Sequence, residues 1–404
     1  MIEGLRVRPT SPRPRARLFQ MLAVPLICTA VMLPAAAASA GSGWTVAHTP
    51  NADTQNNTLL AISCPSSTTC IAVGKYDNAS TLQNRTLAER LNGSKWALMS
   101  SPNPGAFADQ LTGISCKSTT SCMAVGYEQT SKTSPYKSLA MSWNGTSWKV
   151  LATPNAGSSS NQPASVSCAK TNACLAVGVY SVGHPVTGTA TLAMIWNGSK
   201  WKLSSSPNML ASKNDQFNGV SCVAKPSLEC FAVGAASSVR GQTPVAARWL
   251  HNSWKLLPVT GTKNNGSLFG ISCTSLKSCS AVGDYMESGG TFASQTLVEA
   301  WNGSKWSVRS SQNAGSGANN DLQSVWCVSA TSCTSSGWSE TGGVSNSLIV
   351  ALTGGAWKLQ SSPTPGGASI LYGTACVTST KCWAVGGSFN TTTNSEQTLV
   401  EANS

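Results

Sequence analysis

Charged residues are scarce in this chain of 404 residues, because Asp, Glu, Lys and Arg together make up 10% of it and histidine occurs only three times. No run of lysine and arginine lies beyond the N-terminal segment, which argues against a nucleic-acid partner. His48, His184 and His251 are isolated in the sequence and belong to no Ser/His/Asp motif, and no Asp-x-Asp-x-Asp-Gly loop is present. The sequence therefore predicts no catalytic residue, no metal and no cofactor.

Long apolar runs are also missing, with one exception from Leu18 to Ala37. Five arginines precede this run and Ala38-Ser39-Ala40 follows it, an order typical of a secretory signal peptide and its cleavage site. We predict a signal peptide over 1–40 and a mature domain over 41–404. The alternative is an uncleaved membrane anchor, since about 20 apolar residues can span a bilayer. Cleavage removes five arginines and one glutamate from 27 basic and 15 acidic side chains, which lowers the formal net charge from +12 to +8.

Cysteine is abundant and regularly placed. Apart from Cys28, the cysteines form seven local pairs: Cys64 with Cys70, Cys116 with Cys122, Cys168 with Cys174, Cys222 with Cys230, Cys273 with Cys279, Cys327 with Cys333, and Cys376 with Cys382. The pairs recur about every 50 residues, a period typical of propeller blades. Zinc ligation is the alternative, but the pairs lack companion histidines. We predict seven disulfides and, because disulfides persist in oxidising compartments, a secreted extracellular protein.

Each repeat contains four segments that read as strands. In the first repeat they are Leu59–Cys64, Cys70–Gly74, Thr86–Asn92 and the segment that begins at Trp96. The third strand runs into an Asn-Gly dipeptide in four repeats, at Asn92-Gly93, Asn144-Gly145, Asn197-Gly198 and Asn302-Gly303. This dipeptide predicts a two-residue type I′ hairpin turn.

The seventh repeat stops after its third strand, at Thr398–Ser404, and its missing fourth strand has a match at the other end of the chain. Gly41–Asn51 contains the same Trp and Pro-Asn signals that follow the third strand elsewhere. A closed ring protects its sheet edges by such a split. We predict an all-β, seven-bladed β-propeller with four-stranded antiparallel blades, closed by the N-terminal strand joining the last blade.

Residues 44–404 resemble secreted bacterial β-propeller repeat proteins, in the same broad architectural group as kelch and Asp-box propellers. The segment Asn92-Gly93-Ser94-Lys95-Trp96 occupies the place of the Asp-box turn between the third and fourth strands. The Ser-x-Asp of that motif is absent, and the kelch Gly-Gly doublet does not recur at a fixed position. The resemblance therefore implies the architecture and no catalytic residue.

The loops between the second and third strands, and those between successive repeats, vary from repeat to repeat, and variable loops on a rigid scaffold are where binding residues concentrate. Six residues in or near these loops form the predicted ligand site: Asp77, Glu128, Asp284, Glu287, Trp338 and Glu340. We predict a monomeric extracellular binding or scaffold protein whose partner is a glycan, a cell-wall polymer or an extracellular protein, with no membrane contact after signal cleavage.

Two other function classes remain open. A polysaccharide hydrolase or lyase would use paired carboxylates such as Asp284 and Glu287, if the fold separates them suitably. The few arginines outside the leader occupy dissimilar repeat positions, which argues against a sialidase-like site. A structural surface protein is the third class. Acids in or beside the variable loops and lysines near the opposite turns predict a relatively acidic loop face and a basic opposite face. Such a distribution either serves a polyhydroxyl or cationic ligand or is merely solvated on both faces.

Overall fold

Short segments form strands throughout the computed structural model, which describes residues 43–183, 186–209, 214–224, 228–238, 241–259, 265–286 and 293–403. These ranges contain 28 strands and no helix, so the all-β prediction is confirmed and no described helix is available to cross a membrane. The predicted signal peptide lies outside the described residues, as do His184 and Glu287.

The strands follow the repeats predicted from the cysteines. Repeat 1 contains β2 (Asn57–Ser66), β3 (Thr69–Asp77), β4 (Asn84–Asn92) and β5 (Lys95–Leu98), and repeat 2 contains β6 (Ala108–Ser118), β7 (Ser121–Gln129), β8 (Lys137–Trp143) and β9 (Trp148–Leu151). Repeat 3 contains β10 (Asn161–Lys170), β11 (Ala173–Val182), β12 (Gly188–Trp196) and β13 (Trp201–Leu203), and repeat 4 contains β14 (Asn214–Val223), β15 (Glu229–Ser238), β16 (Gly241–Leu250) and β17 (Ser253–Leu257). Repeat 5 contains β18 (Gly266–Ser275), β19 (Ser278–Met286), β20 (Ser294–Trp301) and β21 (Trp306–Arg309), and repeat 6 contains β22 (Asn319–Ser329), β23 (Ser332–Thr341), β24 (Val344–Thr353) and β25 (Ala356–Gln360). Repeat 7 contains β26 (Ala368–Cys376), β27 (Cys382–Asn390) and β28 (Ser395–Asn403), and β1 (Thr45–Ala47) comes before repeat 1.

Consecutive strands of each repeat pair antiparallel. Five sheets have four strands, and one sheet of eight strands combines repeats 3 and 4 through a single parallel bridge between Thr189 and Asn214. The strand β1 pairs antiparallel with β28, with Thr45 opposite Ala402, which gives the order β1-β28-β27-β26. The first and last described strands of the chain therefore share one sheet.

All seven predicted disulfides are present, each within one hairpin between the first and second strands of a repeat. Cys64 is bonded to Cys70, Cys116 to Cys122, Cys168 to Cys174, Cys222 to Cys230, Cys273 to Cys279, Cys327 to Cys333, and Cys376 to Cys382. In six of the seven repeats the two cysteines stand directly opposite each other in the register of these strands. The disulfide interpretation of the cysteine pairs is thus confirmed.

The second cysteine of every pair is part of the core. It stands first or second in the second strand and is buried among the apolar side chains between repeats, as Cys70, Cys122, Cys174, Cys230, Cys279, Cys333 and Cys382 are. A sulfur that is bonded in a disulfide has no thiolate to offer. The cysteines therefore cross-link the hairpins, and the second cysteine of each pair also contributes to the core.

The Asn-Gly dipeptides form turns, but not the predicted type I′ turn, which needs positive φ at both central residues. In repeat 2 only Gly145 has a positive φ, of 100°, and the Asn144 side chain accepts hydrogen bonds from the backbone N–H groups of Thr146 and Ser147 at 2.9 and 2.8 Å. Asparagine therefore closes the loop through its side-chain oxygen rather than through a left-handed backbone.

Apolar side chains pack between neighbouring repeats in seven clusters. One cluster joins Ile71 and Val73 of repeat 1 to Leu139 and Met141 of repeat 2, and five others join each later pair of successive repeats. The seventh contains Leu59, Leu87 and Trp96 of repeat 1 together with Trp383 and Val400 of repeat 7. The repeated tryptophans therefore pack between neighbouring repeats, and each repeat needs one for this reason.

Serine hydroxyls fix how neighbouring repeats are aligned. The backbone N–H of the first cysteine donates, at 3.0 Å, to the serine that precedes the first cysteine of the repeat before it, in the pairs Cys116 and Ser63, Cys168 and Ser115, Cys222 and Ser167, Cys273 and Ser221, and Cys327 and Ser272. These bonds bring the disulfide hairpins to one end of the sheets. The turns between third and fourth strands lie at the same end. We call this end, together with the outer fourth strands, the turn face. We call the opposite end the loop face.

Candidate ligand site at the loop face

A β-bulge recurs at the same place in the first strand of every repeat. The register shifts by one residue and leaves seven residues without a partner on the second strand: Leu60, Thr112, Ala164, Asn218, Phe269, Gln323 and Tyr372. A bulge redirects a side chain out of the regular alternation. All seven are half-buried, so each remains partly accessible.

A glycine on the second strand makes each bulge possible. It faces the residue just before the bulge, and the seven are Gly74, Gly126, Gly178, Gly234, Gly283, Gly337 and Gly386. A Cβ at Gly126 would lie 1.9 Å from the carbonyl oxygen of Gln110. Any larger residue there would push the first strand away and remove the bulge.

The seven bulge residues line two connected cavities. A narrow cavity of about 160 Å³ is bounded by residues from the first strands of all seven repeats. A wider cavity of about 380 Å³, which we call the mouth, shares the seven bulge residues and adds Gln110, Tyr127, Gln162, Pro163 and Val179. The added side chains come from the loop-face ends of their strands, so the mouth opens toward the loop face.

Aromatic rings and neutral amides give the mouth its chemistry. The Tyr127 hydroxyl donates to Gln110 Oε1 at 3.0 Å, and Asn218 Nδ2 donates to the Leu268 carbonyl at 2.9 Å, so both groups are held in place. Burial, with a smaller contribution from the nearby Glu396 carboxylate, raises the pKa of Tyr372 to about 12. Its hydroxyl is therefore neutral at physiological pH and remains a hydrogen-bond donor. Together with the ring of Phe269, these groups suit a neutral ligand that carries hydroxyls or amides.

The predicted site residues that the structure describes lie at the loop face but belong to different repeats. Asp77 ends β3 and accepts a hydrogen bond from Asn56 Nδ2 at 2.9 Å, whereas Glu128 stands opposite Asp109 between β6 and β7. Burial raises the pKa of Glu128, and Lys137 partly offsets this. Glu340 is the last residue but one of β23 and stands opposite Asn319. Among the described residues that line the mouth, none belongs to the predicted set.

Two predicted residues act on Asp321, a residue outside the predicted set: Trp338 through strand pairing and Asp284 through its charge. Asp321 stands opposite Trp338 in the register of β22 and β23, and its pKa is raised to about 7 by burial and by the Asp284 carboxylate. Burial also raises the pKa of Asp284 to about 6. The sequence hypothesis paired Asp284 with Glu287, which lies outside the described residues; the structure couples Asp284 to Asp321 of the next repeat.

A larger cavity, of about 530 Å³, lies at the side of the sheets between repeats 1 and 2. It is lined by residues that include Arg90, Leu98, Met99, Trp143 and Trp148. This groove involves only two repeats and outer strands. The mouth draws side chains from every repeat, and for that reason it is the better candidate site.

The bulge residues were missed because they look like ordinary strand residues. A signal was nevertheless available. Each lies four positions before the first cysteine of its repeat, and this position carries seven different residues, whereas the position just before it is leucine in five repeats. A variable position inside an otherwise uniform motif indicates a residue that the fold does not need.

No family model matches the sequence, and no curated protein matches it. The structure is similar to solved structures at low sequence identity. A structure described as YCF48 bound to D1 peptide has a TM-score of 0.54 at 12% identity, covering 90% of this chain and 95% of that one. A protein of unknown function from Dyadobacter fermentans has a TM-score of 0.51 at 11% identity, covering 76% and 97%. The GH74 xyloglucanase from Xanthomonas campestris has a TM-score of 0.50 at 10% identity, covering 88% of this chain but 55% of the enzyme. At such identities the likeness extends to the fold alone, which is of the β-propeller type.

Proposed function

We propose that the seven repeats form a seven-bladed β-propeller, closed by the N-terminal strand, in a secreted protein. Seven inter-repeat clusters, one of which joins repeat 7 to repeat 1, support the blade count. The pairing of β1 with β28 supports the closure. Seven disulfides are consistent with an extracellular location.

We further propose that this propeller is a binding protein that recognises a neutral carbohydrate chain at the mouth. The single observation that carries this proposal is the ring of seven bulge residues, one from every repeat, around a cavity of about 380 Å³. Aromatic rings stack on the apolar faces of sugars, and amide and hydroxyl groups bond their hydroxyls. Phe269, Tyr372 and Tyr127 supply rings, while Gln162 and Gln323 supply amides.

A glycan array probed with residues 41–404 tests this proposal, followed by titration of the best neutral oligosaccharide against variants. We expect Tyr372→Ala and Phe269→Ala to weaken binding about tenfold each, since an aromatic contact contributes up to about 1.5 kcal/mol beyond the area it buries, and about 1.4 kcal/mol corresponds to a factor of about ten. Tyr372→Phe removes one hydrogen bond and should cost about fivefold. The matched control is Gln360→Ala on the outer strand β25, which should bind normally.

Two results would contradict this carbohydrate site: no binding of any neutral oligosaccharide, or binding that both aromatic variants retain. A peptide backbone offers similar hydrogen-bonding groups, and the similar structure of YCF48 holds a peptide. Binding of extended peptides that is lost in Tyr372→Ala would keep the mouth as the site and replace the ligand class.

The coupled carboxylates Asp284 and Asp321 favour a second candidate function, hydrolysis of a polysaccharide. A pKa of about 7 lets Asp321 hold a proton at neutral pH, as a general acid does. Such an activity would fall as pH rises above about 7, and Asp321→Asn should lower turnover by about 100-fold or more. Reducing-end release from the polysaccharide bound on the array measures it. Absence of release by the unmodified protein would eliminate this candidate.

A further inference from the structure

Lysine is concentrated at the turn face. In the described part of the chain, the turns and outer strands of this face carry eleven lysines, of which all but the half-buried Lys381 are exposed: Lys95, Lys117, Lys149, Lys170, Lys200, Lys202, Lys255, Lys277, Lys305, Lys358 and Lys381. Arg309 is exposed on the outer strand β21 and adds another positive charge. These residues come from all repeats, so the positive charge extends over the whole face.

Negative charge is almost absent from the same face. Within the described ranges its one carboxylate is Glu229, which accepts a hydrogen bond of 2.7 Å from Arg248 Nε and is thereby neutralised. The remaining described acids are either buried in third strands, as Glu89, Glu299 and Glu401 are, or located at the loop face. The two ends of the molecule therefore differ in sign, and the field of the turn face attracts anions over a long range.

We infer that the turn face binds a linear anionic polysaccharide. Lysine ammonium groups are point charges that do not require the planar, bidentate geometry that arginine selects. Between the lysines, the turns carry serine, threonine and asparagine, as in Ser118–Thr120 and Thr378–Thr380. Alternating cationic and hydroxyl groups match a polymer that alternates carboxylates or sulfates with hydroxyls.

The same observations disfavour single-stranded nucleic acid as the occupant. Among the described residues of the turn face no Phe, Tyr or Trp side chain is exposed, whereas single-stranded nucleic acids are bound by stacking on such rings. The outer strands of this face also carry exposed apolar residues, as Leu203 is beside Lys202. Basic and apolar side chains together are what membrane-surface binding uses, so anionic vesicles are the competing ligand in the test below.

Binding of residues 41–404 to polygalacturonate of defined length, measured against salt concentration, tests this inference. The variant K149Q/K202Q/K255Q removes three exposed lysines from outer strands. The control K75Q/K132Q/K137Q removes the same net charge from the loop face. The slope of log affinity against log salt should decrease by about one for each lysine that contacts the polymer. We expect the first variant to bind at least tenfold more weakly at low salt and the control to bind within twofold of the unmodified protein.

Several outcomes would overturn the inference. These are no retention of the unmodified protein, equal losses in the two variants, or tighter binding to single-stranded RNA or to vesicles with anionic lipid than to polygalacturonate. Neutral oligosaccharide binding at the mouth is measured in the same variants. Since the mouth lies at the other face, its binding should be unchanged in K149Q/K202Q/K255Q, so the two proposals succeed or fail separately.

Discussion

Replacement of Trp44 by alanine is expected to lower the free energy of unfolding by about 3–5 kcal/mol, the usual cost of removing a large buried aromatic side chain. Trp44 precedes β1, is 6% exposed and packs in one cluster with Ile349, Leu371 and Leu399. Its loss opens a cavity between repeats 6 and 7 and loosens the strand that covers the edge of β28. Denaturant unfolding without reductant measures the effect.

The control for this prediction lies two residues further along the chain. Val46 lies in β1 and is 46% exposed, so Val46→Ala should change the stability by about 0.5 kcal/mol or less. Equal, small effects of both substitutions would mean that β1 does not contribute to the fold and that the chain ends are not joined.

Stability is also expected to fall as pH rises, because three glutamates are buried at one equivalent position of the third strand. Desolvation by burial raises the pKa of Glu89 to about 8 and those of Glu299 and Glu401 to about 7. Glu89 accepts a hydrogen bond from Thr49, and Glu401 accepts one of 2.6 Å from Ser362. For Glu299, the position that corresponds to Thr49 and Ser362 is taken by Val259, which has no hydroxyl to donate. The Glu299 carboxylate therefore has no hydrogen-bond partner in the described part of the chain.

The direction follows from comparing the two states. A folded pKa above the ordinary value of about 4.5 means that the folded state holds the proton more tightly than the unfolded chain does. The contribution of these glutamates to the free energy of unfolding is therefore full below about pH 4.5 and is lost as pH rises toward 7 or 8. For Glu299 the loss is on the order of 3 kcal/mol, at about 1.4 kcal/mol per pH unit. The melting temperature should be clearly higher at pH 5 than at pH 8.

Substitution by glutamine isolates this effect. Glu299→Gln keeps the shape and removes the charge, so it should raise the melting temperature at pH 8 and leave it nearly unchanged at pH 5. Glu340→Gln, at the end of β23, is the control and should have little effect at either pH. A melting temperature that is flat or rises between pH 5 and 8 would contradict the account of the buried glutamates.

The sequence alone was sufficient for features that recur at fixed spacing. The cysteine pairs predicted the hairpins and their disulfides, and the match between Gly41–Asn51 and the other fourth strands predicted a partner for the last repeat, where β1 is found. Such features repeat because each repeat needs them, so one chain contains several independent examples of each. The turn type was predicted wrongly because Asn144, Asn197 and Asn302 act through their side chains, which backbone preferences do not describe.

The candidate site was harder to predict for a physical reason. A bulge changes which side of the strand a residue faces, so Tyr372 and Phe269 leave the alternation that a sequence pattern assumes. Contacts between repeats were equally hidden. Asp321 and Asp284 belong to different repeats, and their interaction depends on how two sheets pack.

The proposed closure of the ring can be tested most directly by a cross-link between the chain ends. Thr45 and Ala402 stand opposite each other in β1 and β28, so the double substitution T45C/A402C should form an eighth disulfide under oxidising conditions. Peptide mapping by mass spectrometry should find the N-terminal and C-terminal peptides of one chain linked, with the seven native pairs intact. Two free thiols in a folded protein, or a link between two different chains, would contradict a shared sheet.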